Sequence, residues 1–135
     1  MNFPREIARV SILALRSPHF ESKPLLCSRF IRQVCERAAG RRLKRLFGLS
    51  ARATLRAMRK AKMTFVPNKE TVYEPGDLLF KWGGAFGHVG VVTLEGMIAH
   101  NTTGRGIRFA GNKTLSTFSQ FGQIDEVARF KKDGI

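Results

Sequence analysis

Gly87-His88-Val89-Gly90-Val91-Val92 and the segment that follows it, Met97-Ile98-Ala99-His100-Asn101-Thr102-Thr103, decide how this chain folds. Both are apolar and β-branched, the composition of paired strands, with Gly96 in the connection between them. Each carries one histidine, twelve positions apart. Side chains alternate between the two faces of a sheet, so loop length decides whether the two rings meet. A two-residue loop, Glu95-Gly96, sends them to opposite faces. A three-residue loop, Leu94-Glu95-Gly96, with Gly96 left-handed at a bulge, sets His100 opposite Gly90. His88 then lies one diagonal step away, roughly 7–8 Å between Cα atoms. Gly90 has no side chain to keep the rings apart. The three-residue loop is the expectation.

Upstream of this hairpin the pattern is helical. Phe3, Ile7, Val10, Leu13 and Ala14 recur at spacings of three and four, and Ser17-Pro18 ends that helix near Leu15. Ser22 is a candidate cap, with Pro24 just inside, for a second helix from Pro24 to Ala39 closed by Gly40. Arg41 to Lys62 reads as a short helix and a longer one, broken near Gly48-Leu49-Ser50, with Ser50 capping Ala51 to Ala61. Met63 to Tyr73 is a polar connector. Past the turn at Glu74-Pro75-Gly76-Asp77, strands are expected at Leu78–Trp82, Ile107–Phe109, Leu115–Phe118 and Glu126–Phe130, with residues 131–135 as a fraying end. Helices first and antiparallel strands second predict an α+β fold. N-terminal helices (helical half 1–62) pack on one face of a C-terminal antiparallel β-sheet (sheet half 75–130), within one domain spanning 1–135.

Charge divides along the same line. Residues 1–62 hold sixteen Lys/Arg against three acids, whereas residues 63–135 hold eight against seven, so nearly all of the net +14 sits in the helical half. The densest part, Arg41 to Lys62, is an electrostatic footprint for a polyanion. No aromatic residues interleave with these cations and no helix-turn-helix, zinc-finger or RNA-binding signature accompanies them, which makes nucleic acid the weaker candidate beside acidic lipid and an anionic cell-wall polymer. No apolar run is long enough to span a bilayer. The unbroken apolar part of the N-terminal segment, Val10 to Leu15, is only about six residues long and leads into Arg16-Ser17-Pro18, so no signal peptide is evident.

Cys27 and Cys35 do not form a disulfide framework. On one helix, eight residues separate their Cα atoms by about 12 Å, beyond the roughly 7 Å a bridge allows. Cys35 falls on the buried stripe of Phe30, Ile31, Val34 and Ala38 and reads as a small core hydrophobe. Cys27 follows a loop and falls in the first helical turn, where free backbone N–H groups and the helix dipole favour a thiolate. Cys27, His88 and His100 together make a nucleophile, base and orienter. In that reading His88 draws the thiol proton to give a thiolate–imidazolium pair, His100 fixes its tautomer, and the Cys27 backbone N–H serves the oxyanion. Zinc is the rival use of one cysteine and two histidines, with Asp77 as the remaining carboxylate. The paired Cys-x-x-Cys spacing of such sites is absent, so no metal or cofactor is expected.

These residues resemble a known family. Cys27-Ser28-Arg29-Phe30-Ile31, Pro75-Gly76-Asp77-Leu78-Leu79-Phe80, Gly87-His88-Val89-Gly90-Val91-Val92 and Ile98-Ala99-His100 are similar, in order and spacing, to motifs of the NlpC-type papain-like cysteine peptidases. The resemblance covers roughly Ile7 to Phe130. It implies a papain-like NlpC-type core, a catalytic Cys27, base His88 and orienter His100, and hydrolysis of stem-peptide amide bonds in bacterial peptidoglycan. It also implies action at the bacterial cell wall, as a phage tail or lysis component or a secreted effector. Leu26 and Arg29 stand where the family usually has Asp and Gly, and His19 and Phe20 are nearest to its usual tyrosine, which bears on the substrate. A CHAP-like amidase, in which Asn101 takes the third role, and a Cys-His acyltransferase or deamidase are the alternatives on the same scaffold. A non-catalytic polyanion-binding module is the alternative from another class.

Overall fold

In Leu78-Leu79-Phe80-Lys81 neighbouring side chains go to opposite faces of a sheet, and here both faces are covered. A computed structural model describes residues 1–134. Three helices come first, α1 (Phe3–Arg16), α2 (Cys27–Ala39) and α3 (Ala51–Lys60). The strands are β1 (Thr64–Phe65), β2 (Leu78–Lys81), β3 (His88–Val92), β4 (Ile98–Asn101), β5 (Ile107–Arg108), β6 (Lys113–Ser116) and β7 (Glu126–Ala128), with a short α4 (Phe118–Phe121) before the last. They form one antiparallel sheet in the order β1-β7-β2-β3-β4-β6-β5. The α+β architecture is therefore as expected at this level, with β3 and β4 inside the sheet.

On one face, Leu78, Phe80, Val89, Val91 and Ala99 pack against the apolar stripes of α1, α2 and α3, including Ile7, Phe30, Ile31, Val34 and Met58. On the other, Leu79, Val92, Ile98 and Val127 pack against Phe121 of α4. Helix ends follow local chemistry. The Asn2 side chain accepts from Arg5 N at the start of α1, Ser50 caps α3 through Ala53 N, and Gly40 closes α2 in the left-handed region.

Several expectations need correction. The second helix starts at Cys27 rather than Pro24, because Leu25 takes φ +65, outside any right-handed helix. Ser22 is not its cap: its carbonyl accepts from Asn112 N and Asn112 Nδ2, pinning the loop to the sheet. Residues 41–47 make turns rather than a short helix, and Leu43 N bonds to Glu36 Oε2. In the expected connector, Thr64 and Phe65 pair with Ala128 and Val127. The expected strand at Leu115–Phe118 is instead β6, and Thr117 opens α4 through a capping box with Gln120. The C-terminal segment is tied down by Phe3 N bonding to Lys132 O and a bridge between Lys131 and Gly134; Ile135 lies outside the described residues. Among the described residues no helix is long and apolar enough to cross a membrane.

Candidate active site

The hairpin forms with the loop that brings the histidines together. Val91 pairs with Ala99 and Val92 with Ile98, Thr93 N bonds to Met97 O, and Gly96 has φ +76. Leu94-Glu95-Gly96 is thus the loop, and His88, Gly90 and His100 share a face. His88 Nε2 lies 2.8 Å from His100 Nδ1. A Cβ on Gly90 would come 2.6 Å from Ile98 Cγ2, 3.0 Å from Phe121 and 3.3 Å from His100 Cβ, so glycine is needed where the rings pack.

Three residues that sequence reading did not single out complete this face. Phe121 packs against both rings, with centroids 5.6 Å from His88 and 5.1 Å from His100. Lys81 stands opposite His88 in the register, 4.4 Å over the Phe121 ring, and bonds to the Phe121 carbonyl. Ser116, buried on β6, places its Oγ 2.7 Å from His100 Nε2. Desolvation and the Lys81 charge bring His88 down to about 4. Desolvation, with His88 and Lys81 adding to it, brings His100 to about 3. Both rings are therefore neutral at neutral pH, and any proton His88 holds during a reaction is released readily.

Cys27 is the first residue of α2 and is only 7 % exposed. Lys23, four residues before it, accepts from Asn101 Nδ2 through its carbonyl at 2.7 Å, which ties the preceding loop to β4. The backbone N–H groups of Val89, Ser28 and Cys27 itself favour a negative sulfur, yet burial outweighs them and pushes the thiol up. The expected lowering at a helix tip is overturned, because the helix end is covered. With the thiol raised and the imidazole lowered, the resting pair is neutral rather than thiolate–imidazolium. No hydrogen bond joins the sulfur to a His88 ring nitrogen; the two side chains instead line one cleft of roughly 460 Å³. Among the described residues no charged side chain lines this cleft, while Leu25, Leu49 and Phe86 stand exposed around it. Asn101 donates through Nδ2 to the Lys23 carbonyl and lines the same cleft as Cys27 and His88, whereas His100 is the residue bonded to the His88 ring.

Cys35 is completely buried, with its thiol pushed up by desolvation, as its place on the core stripe implies. Asp77, also buried, is held by Arg129 through Nε to Oδ1 at 2.9 Å and Nη2 to Oδ2 at 2.8 Å, and so is a fold anchor rather than a ligand. Among the described residues no three His, Cys, Asp or Glu side chains are grouped to hold a metal ion. No family model matches the chain, and no curated protein does.

Proposed function

We propose that this chain is a cysteine hydrolase of papain-like, NlpC-type architecture that cleaves amide bonds in peptidoglycan stem peptides. The observation that carries the reading is one cleft lined by the first residue of a helix, Cys27, and the first residue of a strand, His88, whose far nitrogen is held by His100. As the Cys27 sulfur attacks the amide carbonyl, its proton passes to His88. The tetrahedral oxyanion forms beside the N–H groups at the start of α2, and its collapse breaks the C–N bond as His88 returns the proton to the leaving amine. Water, deprotonated by His88, then hydrolyses the thioester and restores the thiol. A weakly basic His88 is a strong acid toward the amine once it is protonated but a poor base toward the raised thiol, so the proton leaves the sulfur only as the S–C bond forms.

The wild type should release fragments from purified muropeptides, while Cys27→Ala and His88→Ala lose at least 10²-fold in rate, the usual scale for a lost nucleophile or base. Identical fragments from the wild type and Cys27→Ala would refute the assignment. The uncharged cleft and exposed Leu25, Leu49 and Phe86 favour a second reading, a Cys-His acyltransferase whose acyl group is apolar. Turnover of a medium-chain acyl thioester with no muropeptide cleavage would select it. For the Arg41–Lys62 region we propose contact with an anionic wall polymer, which would hold the enzyme on its substrate without sequence or stereochemical recognition.

A further inference from the structure

Behind His100 lies a hydroxyl whose one proton is already committed. Ser116 Oγ is 2.7 Å from His100 Nε2 and 2.5 Å from the backbone carbonyl of Arg105. A carbonyl oxygen only accepts, and a serine hydroxyl has a single hydrogen to give. That hydrogen goes to Arg105, since turning it toward His100 would set two oxygen lone pairs against each other at 2.5 Å. The Ser116 oxygen is then an acceptor toward the ring, and His100 carries its proton on Nε2. A neutral imidazole has one N–H, so His100 Nδ1 is bare and accepts from His88 Nε2 across 2.8 Å. His88 is left with its lone pair on Nδ1.

Two hydrogen-bonded imidazoles have no preferred direction of their own. Run the opposite way, the chain of protons would leave His88 with an N–H at Nδ1 and no free base. The backbone around Arg105 is shaped to prevent this. Gly106 has φ +139, and a Cβ there would lie 2.6 Å from Ser116 Oγ and 2.6 Å from Leu115 O, so only glycine lets this turn approach the hydroxyl.

We propose that Ser116, oriented by the Arg105 carbonyl, is a positioning residue that sets the tautomers of His100 and His88 and leaves His88 Nδ1 as the pair's one free base. Its effect on turnover rests on the hydrolase reading; the tautomers themselves do not.

Long-range ¹H–¹⁵N correlation spectra of the full chain at pH 7 report which nitrogen of each ring carries the proton. The expected result is Nε2–H on both rings. Ser116→Ala removes the acceptor, and the net value of one neutral hydrogen bond corresponds to roughly a tenfold change in tautomer ratio, so both rings move toward Nδ1–H. Gly106→Ala, which displaces the Arg105 carbonyl, moves them the same way, and Ser116→Thr, which keeps the hydroxyl, restores Nε2–H. On muropeptides, Ser116→Ala should lower kcat about tenfold with KM unchanged. Nδ1–H on either ring of the wild type overturns the proposal, and so do unchanged tautomers in Ser116→Ala. If Ser116→Ala does not fold, the wild-type spectrum alone decides. Expected tautomers in a wild type that cleaves no muropeptide refute the hydrolase reading and leave the Ser116 assignment standing.

Discussion

At His88 and His100 the protein holds two ionisable rings in a setting that suits only their neutral forms. Desolvation is the larger cause for each, and the Lys81 charge across the register adds to it. Stability should therefore depend on acid in a definite window. An unfolded histidine titrates near 6.5, whereas the folded pair titrates at about 4 and about 3. Between those values the unfolded chain binds more protons, so stability is complete above about pH 6.5 and falls as pH drops toward 4. With both rings displaced, the loss expected by pH 4 is on the order of 7 kcal/mol, about half from each. Chemical denaturation at a series of pH values measures it, and replacing both histidines by glutamine should flatten the profile. A wild-type profile already flat from pH 7 to pH 4 would contradict the burial of the pair.

Among the elements, α4 shows how a few residues support the site from behind. It is one turn long, yet Phe121 at its end packs against both histidine rings and the apolar patch of Leu79, Val92, Ile98 and Val127. A helix this short has little stability of its own, so its cap matters. Thr117 accepts from Gln120 N while the Gln120 side chain accepts from Thr117 N. Thr117→Ala should cost about 1 kcal/mol in thermal or chemical unfolding, with turnover falling further than stability because Phe121 loses its seat. The same scale explains what could be read in advance. The β3–β4 pairing was legible because it depends on period two and one short loop, both local. Ser50 and Gly40 were legible as caps for the same reason. Lys81 and Ser116 were not, since their places depend on the β2–β3 and β4–β6 registers between segments far apart in the chain. The sequence Thr117-x-x-Gln120 is a capping signal, masked because Leu115-Ser116-Thr117-Phe118 also reads as a short strand. The start of α2 was misjudged because nothing local requires Leu25 to adopt φ +65, a conformation the loop's bonds to Asn101 and Asn112 hold in place.

For the whole molecule, the uneven charge is the property that no single element explains. Between Glu36 and Glu70 the chain has no acidic residue. Some cations of this stretch are engaged: Arg59 pairs with the largely buried Glu126, and Arg52 bonds to the carbonyls of Trp82 and Gly84. Arg41, Arg42, Lys44, Arg45 and Lys60 have no ion pair among the described residues, and they converge on one broad depression of roughly 960 Å³ whose floor includes Leu43, Leu46, Ala57 and Ala61. Five like charges around one hollow repel one another, a strain that a bound polyanion relieves by releasing its counterions to solution. On the proposed contact with an anionic wall polymer, binding to a phosphodiester wall polymer should weaken linearly in log–log terms with salt. Replacing the five by glutamine should flatten that slope by roughly 0.7 for each phosphate no longer neutralised, or about 3.5 if all five engage a flexible chain. The same variant should unfold at an equal or higher temperature than the wild type, because the repulsion is gone. On the proposed hydrolase reading, small soluble muropeptides should be cut at the wild-type rate, while release from intact sacculi falls at low salt and converges with the wild type at high salt. An unchanged salt slope would mean that the depression holds no polyanion. An equal loss on both substrates would mean that it belongs to the catalytic cleft rather than to a separate surface for holding the wall.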